Sequence, residues 1–320
     1  MWQSGILPKG CTQAQEFVDR NKSWDGRGVV VGVLDTGVDP LAPGLNSRTS
    51  DGKQKVIHVV DCSGSGDVAM GPPQSPDELE RTLTRSGHSL GRIRINPAWV
   101  NPTDKWRVGQ KRLLDLYPRG LKDRMADQRK KQVAQTVNLL EAQIMENDSD
   151  SPEDAKLQLA QLRVLEKEIG SGPGPMLECI TWHDGERHQA AIHDGTDLST
   201  IDPITDFSHG YQARTFDHFN VLLTYAVNIY DSGSTLSIVV DAGSHGTHVA
   251  GIVSAFHQPG DDINNGVAPG AQIVSLKIGD TRLGSMETGV GLYRALLEAR
   301  RCGCDIVNMS YGEGTAFPDR

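Results

Sequence analysis

Cysteine is scarce: five in 320 residues, with Cys11, Cys62 and Cys179 isolated and Cys302-Gly303-Cys304 lacking a second pair. The odd count argues against a disulfide framework, and the doublet does not make a four-cysteine zinc site. Reduced thiols, and with them a cytoplasmic location, are the expectation. No apolar run reaches the length that crosses a bilayer, so no transmembrane helix is expected. Met1 to Pro8 has neither a charged start nor a continuous apolar stretch, so no secretory signal is read there. Positive charge is also short, 32 Lys and Arg against 41 Asp and Glu, giving a net charge of −9. That balance argues against nucleic acid and anionic membrane as partners and leaves proteins and peptides. The Cys62–Asp67 loop has no Gly-Lys-Ser or Gly-Lys-Thr, which removes a phosphate loop. No cofactor is expected.

What is present begins with apolar content of 37%, enough for a sizeable core, and a length suited to about two domains. Val29-Val30-Val31-Gly32-Val33-Leu34 reads as a buried parallel strand that presents Asp35 at its carboxyl end, where open α/β sheets keep their ligands. Far downstream, Gly243-Ser244-His245-Gly246-Thr247-His248-Val249-Ala250-Gly251 reads as a loop feeding a helix, with an imidazole at the helix mouth. Asp35 and His245 lie 245 − 35 = 210 positions apart. Only a fold that brings the second strand beside the first would pair them. The fold class expected is therefore α/β, a doubly wound and mostly parallel sheet, incomplete at its C-terminal end. Residues 1–40 would begin it and 236–320 resume it, around a large α+β insertion at 41–235.

Within that insertion Lys55–Asp61 reads as a strand, and 68–110, rich in Pro, Gly and Ser, as irregular surface structure. Charges and helix formers dominate 111–169, where Val133, Val137, Leu140 and Ile144 share one face. Asn147–Asp150 interrupts the pattern and Ser151-Pro152 restarts it, so a charged antiparallel helix pair is expected. Its alternative role is a partner-docking arm. β-Hairpins are expected near 176–192, turning at Asp184-Gly185, and near 221–241, turning at Asp231–Ser234. After His245 comes an α/β rhythm: helix 248–256, strand 273–278, helix 286–301, strand 305–309.

The same residues admit rival chemistries. Gly26, Gly28 and Gly32 have a dinucleotide look but precede and enter their strand, whereas such a loop must follow it. Asp35-Thr36-Gly37 and Asp231-Ser232-Gly233 each satisfy an aspartic-protease pattern, but Asp231 falls in a turn and His245 would go unexplained. His245 and His248 lack the i, i+4 spacing of a zinc helix and have no third ligand, so no metal is assigned.

Four segments in order, Asp35-Thr36-Gly37, His245–Gly251, Gly266-Val267-Ala268-Pro269-Gly270-Ala271 and Val307-Asn308-Met309-Ser310-Tyr311-Gly312, resemble the motifs of the subtilase family. These enzymes use a catalytic triad in the chain order Asp, His, Ser. The resemblance implies a subtilisin-like fold, Asp35 and His245 as acid and base, and Ser310-Tyr311-Gly312 as an edge segment that pairs with substrate backbone. The long insertion and the Lys277–Gly289 stretch are similar to an exo-acting branch that releases tripeptides from oligopeptides and self-assembles into homo-oligomers. In that branch Glu287 and Glu313 would form an acidic pair that receives the substrate's free ammonium and measures three residues to the scissile bond. A charge-assisted contact of that kind contributes about 1.5–3 kcal/mol.

No Gly-Thr-Ser nucleophile motif occurs in the 320 residues, and Gly284-Ser285-Met286 lacks its threonine. The oxyanion asparagine that the resemblance implies is also absent. The expectation is that this polypeptide is an N-terminal fragment, inert alone because it has no nucleophile. Two other functions stay open on sequence: a non-catalytic interaction module, should the chain natively end here, and an endo-acting subtilase.

Overall fold

In the computed structural model, residues 7–85, 95–146, 160–162, 174–195, 198–218, 221–257 and 264–312 are described. Twelve strands are found among them: β1 Val30–Asp35, β2 Val56–Asp61, β3 Asp67–Ala69, β4 Arg107–Arg112, β5 Met176–His183 and β6 His188–His193, then β7 Ile204–Thr205, β8 Arg214–His218, β9 Val221–Tyr230, β10 Thr235–Val240, β11 Gln272–Lys277 and β12 Ile306–Asn308. Helices of more than one turn are α1 Ala14–Arg20, α2 Pro76–Arg85, α3 Arg119–Glu146, α4 His245–Ser254 and α5 Gly289–Arg301.

The β-branched run of β1 forms an inner strand of a four-stranded parallel sheet in the order β12-β1-β11-β2. Strand alternation divides its side chains between two cores. Val31 and Val33 join Val249 and Ala250 of α4 on one face, and Leu34 joins Ala295 and Ala299 of α5 on the other. Helices thus cover both faces, the doubly wound α/β arrangement of a subtilisin-like fold. Burying each such aliphatic side chain stabilises the sheet by about 1.5–3 kcal/mol.

Two antiparallel sheets stack beside it, β3-β10-β9-β8 and β4-β5-β6-β7. Alternation works here too. Leu236, Ile238 and Val240 of β10 face Leu177, Cys179 and Ile192 of the outer sheet, while Val239 faces Val56 and Val59. The outer sheet's far side is closed by Leu79 and Leu83 of α2 with the clustered rings of Trp99, Trp106 and Trp182.

Several expectations need correction. Residues 68–110 are not irregular throughout, since they hold α2 and the start of β4. The helix is started by a capping box, in which Glu78 accepts from the Ser75 backbone N–H at 2.8 Å and from its hydroxyl at 3.0 Å. Strand β2 falls inside 41–235 yet belongs to the parallel sheet, because β11 supplies a partner for it. The strand before His245, β10, is not a neighbour of β1; it pairs with β9 and β3. Helix α4 starts at His245, three positions before the expected start. The 111–169 region opens with the end of β4 and a short turn of helix before α3. Of the second helical stretch, 160–162 are helical and the rest, Ser151-Pro152 included, lies outside the described residues. No helix among the described residues is long and apolar enough to cross a membrane.

Candidate active site

Asp35 ends β1 on the face that carries Val31 and Val33, the face covered by α4. Parity therefore aims its carboxylate at the first turn of that helix. There His245 Nδ1 stands 2.8 Å from Asp35 Oδ1 and 3.0 Å from Oδ2. The carboxylate is fully buried while the imidazole is 53% exposed. Both acceptor oxygens lie on the Nδ1 side, so Nδ1–H donates to Asp35 and Nε2 is left as the basic nitrogen on the open side. A second donor, the Thr36 backbone N–H, reaches Asp35 Oδ1 at 2.7 Å and fixes its orientation.

The helix start is held by Thr36, Gly246 and Thr247, of which sequence alone singles out only Gly246, as space beside the imidazole. Ser244 caps nothing with its side chain. Instead the Gly246 N–H donates to Thr36 Oγ1 at 2.9 Å, and that hydroxyl donates to the Gly243 carbonyl at 2.8 Å. Strand end and helix mouth are thereby tied by one threonine. Gly246 has no room for a side chain, since a Cβ there would stand 2.2 Å from the Gly37 carbonyl oxygen. Thr247 donates to Asp241 Oδ2 at 3.0 Å and accepts from the Asp39 N–H at 2.9 Å. Burial, then the charge of Asp39, raises the Asp241 carboxyl to about 7. The Thr-Gly after Asp35 and the Gly-Thr after His245 were the available signals for these roles.

Lys277, in register with Asp35, turns its fully buried side chain toward β2. Its ammonium meets Asp61 at 3.4 Å, Ser65 Oγ at 2.7 Å and Thr281 Oγ1 at 3.1 Å. Burial alone would raise the Asp61 carboxyl, but Lys277 and hydrogen bonds from Ser63, Gly66 and Ser65 hold it below its ordinary value.

Beyond β12 the chain runs out through exposed Ser310, half-buried Tyr311 and exposed Gly312. Ser310 Oγ donates to Asn308 Oδ1 at 3.0 Å. The Tyr311 hydroxyl donates to the Ser285 carbonyl. Burial, then the charges of Asp35 and Glu287, pushes its pKa up to about 12. Glu287 is half-buried, just before Thr288, which caps α5. Ser285 Oγ donates to the Ala242 carbonyl at 2.7 Å, a bracing contact behind the histidine. Glu313 lies outside the described residues. Asp231 sits in the turn joining β9 and β10, so the second carboxylate of the aspartic-protease alternative belongs to a hairpin.

Chemically, the half-exposed imidazole can accept a proton at Nε2, and the buried carboxylate that orients it can stabilise the imidazolium that results. A model described as "Subtilase family" matches residues 26–320. Tripeptidyl-peptidase 2 of Arabidopsis thaliana is 39% identical over 99% of this chain and 24% of its own length. The protein of the same name in Caenorhabditis elegans is 34% identical over 98% of this chain and 24% of its own length. A crystal structure of tripeptidyl peptidase 2 superposes with a TM-score of 0.72 at 30% identity, covering 94% of this chain and 25% of that one. The chain thus spans about a quarter of the length of the curated relatives it matches.

Proposed function

The chain belongs to the subtilase family, and on that footing we propose that it supplies the acid and base of a serine peptidase that releases tripeptides from free N-termini of oligopeptides. Asp35 orients and His245 takes the proton of a serine contributed from outside these 320 residues, which contain no Gly-Thr-Ser. The 320 residues alone are therefore inert. Ser310-Tyr311-Gly312 pairs with substrate backbone as an added strand. Glu287 and Glu313 bind the substrate's ammonium and block a longer chain. The single observation that carries the reading is the 2.8 Å contact of His245 Nδ1 with the buried Asp35 carboxylate.

Cytoplasmic residence and homo-oligomeric assembly belong to the same proposal. Free thiols at all five cysteines fit a reducing compartment, and the assembly rests on the motif resemblance alone. The test is to give the full-length protein matched peptides with free and with acetylated N-termini. Release of tripeptides from the free series alone is expected. Equal turnover of both series removes the glutamate ruler.

A further inference from the structure

Strand β2 carries an irregularity that has nothing to do with Asp35. Ile273 of β11 pairs with Val56, but the next residue, Val274, pairs with His58, so Ile57 is an extra residue. Such a bulge re-aims the side chains that follow it. In a regular strand His58 would share the face of Val56, under α4. The bulge turns it instead to the face of Val60 and Cys62, under α5.

At the end of α5, Glu298 and Cys302 are one turn apart and therefore on one side of the helix. One ligand atom from each of His58, Glu298 and Cys302 lies within 4.8 Å of the other two. His58 is more than nine-tenths buried, yet its Nδ1 has no hydrogen-bond partner among the described residues. Its Nε2 accepts from Arg301 at 2.9 Å, and Arg301 Nε donates to Glu298 at 2.7 Å. The Arg301 side chain is 62% exposed, so the cation already lodged among these groups can swing to water.

We propose that His58, Glu298 and Cys302 form a binding site for a divalent transition metal of the zinc type, separate from the peptidase centre. Imidazole nitrogen, carboxylate oxygen and thiolate sulfur are the mixed donor set that Zn²⁺ accepts, and three protein ligands leave a fourth position for water. On binding, the Cys302 thiol loses its proton to solvent, sulfur bonds to the metal, and Arg301 leaves. The ion then clamps the edge strand β2 to the end of α5.

The experiment titrates the full-length protein with Co²⁺ and follows the near-ultraviolet thiolate-to-cobalt absorption, then repeats with Zn²⁺ while recording the melting temperature and proton release. A cobalt–thiolate band, one proton released per ion and a Zn²⁺-dependent rise in melting temperature are expected. Glu298→Gln, at a partly exposed position, should weaken binding because a neutral amide replaces the carboxylate ligand. Cys302→Ser should abolish the band and Cys304→Ser preserve it. Arg301→Ala should bind more tightly because the competing cation is gone. No band in the parent protein, or a band that survives Cys302→Ser, overturns the proposal.

Discussion

Replacing Gly246 with alanine tests how closely the site depends on one approach of backbone to backbone. The added Cβ would stand 2.2 Å from the Gly37 carbonyl oxygen and 3.1 Å from Asp35 Cβ. Ordinary carbon–oxygen contact needs about 3.3 Å, so the first turn of α4 must retreat by roughly 1 Å. That retreat carries His245 Nδ1 from 2.8 Å to beyond hydrogen-bonding distance of Asp35. Alanine favours helix by about 1 kcal/mol, while overpacking costs about 1–3 kcal/mol. The net is a destabilisation of up to about 2 kcal/mol, whereas in activity a 1 Å misplacement costs on the order of 10²-fold. Gly251, in the same helix, is the control, because a Cβ there meets nothing within 4 Å. Gly251→Ala should stabilise by about 0.5–1 kcal/mol and leave turnover alone. The assay is kcat/KM of the full-length enzyme on a free-ended peptide, with melting measured alongside. A Gly246→Ala enzyme within roughly threefold of the parent, under 1 kcal/mol of transition-state energy, would refute the reasoning.

Other substitutions probe neighbouring links. Asp35→Asn should keep the fold but lower kcat ~10⁴-fold, because the amide no longer holds His245 in the productive tautomer; single-turnover kinetics will show it. Lys277→Ala strands the buried Asp61 charge and should destabilise by about 3–5 kcal/mol, read by urea unfolding. Asp241, raised to about 7 in the fold from an ordinary 3.8, keeps its proton while the unfolded chain has already lost it. It therefore lowers stability between about pH 4 and 7 and contributes a constant penalty above. Asp241→Asn should flatten that decline, by at most about 4 kcal/mol and by less in so far as the carboxyl meets water; unfolding curves across that range will measure it.

The parallel strand and its aspartate were legible because β-branched residues with terminal Asp-Thr-Gly admit few other readings. The hairpins were legible from alternation and turn residues. Helix α2 escaped because the Pro, Gly and Ser content of 68–110 was averaged over the stretch. Its local signal, Ser75-Pro76-Asp77-Glu78, has the same form as Ser151-Pro152-Glu153-Asp154. Two features depend on pairings between distant segments. The bulge at Ile57 exists only in the pairing of β2 with β11. The Thr36 tie to Gly246 joins residues 210 positions apart, and nothing in either neighbourhood names its partner.

The strand order β12-β1-β11-β2 also governs how the molecule is born on the ribosome. β1 and β2 are made early but are not each other's neighbours; both await β11, which starts 272 − 30 = 242 residues after β1. At about 5–20 residues per second, roughly 10–50 s separate their synthesis. For that interval two apolar strands have no native partner for the edges that β11 will fill, so the nascent chain is a natural client for chaperones. The antiparallel hairpins, whose partners follow within a few residues, are free to fold first.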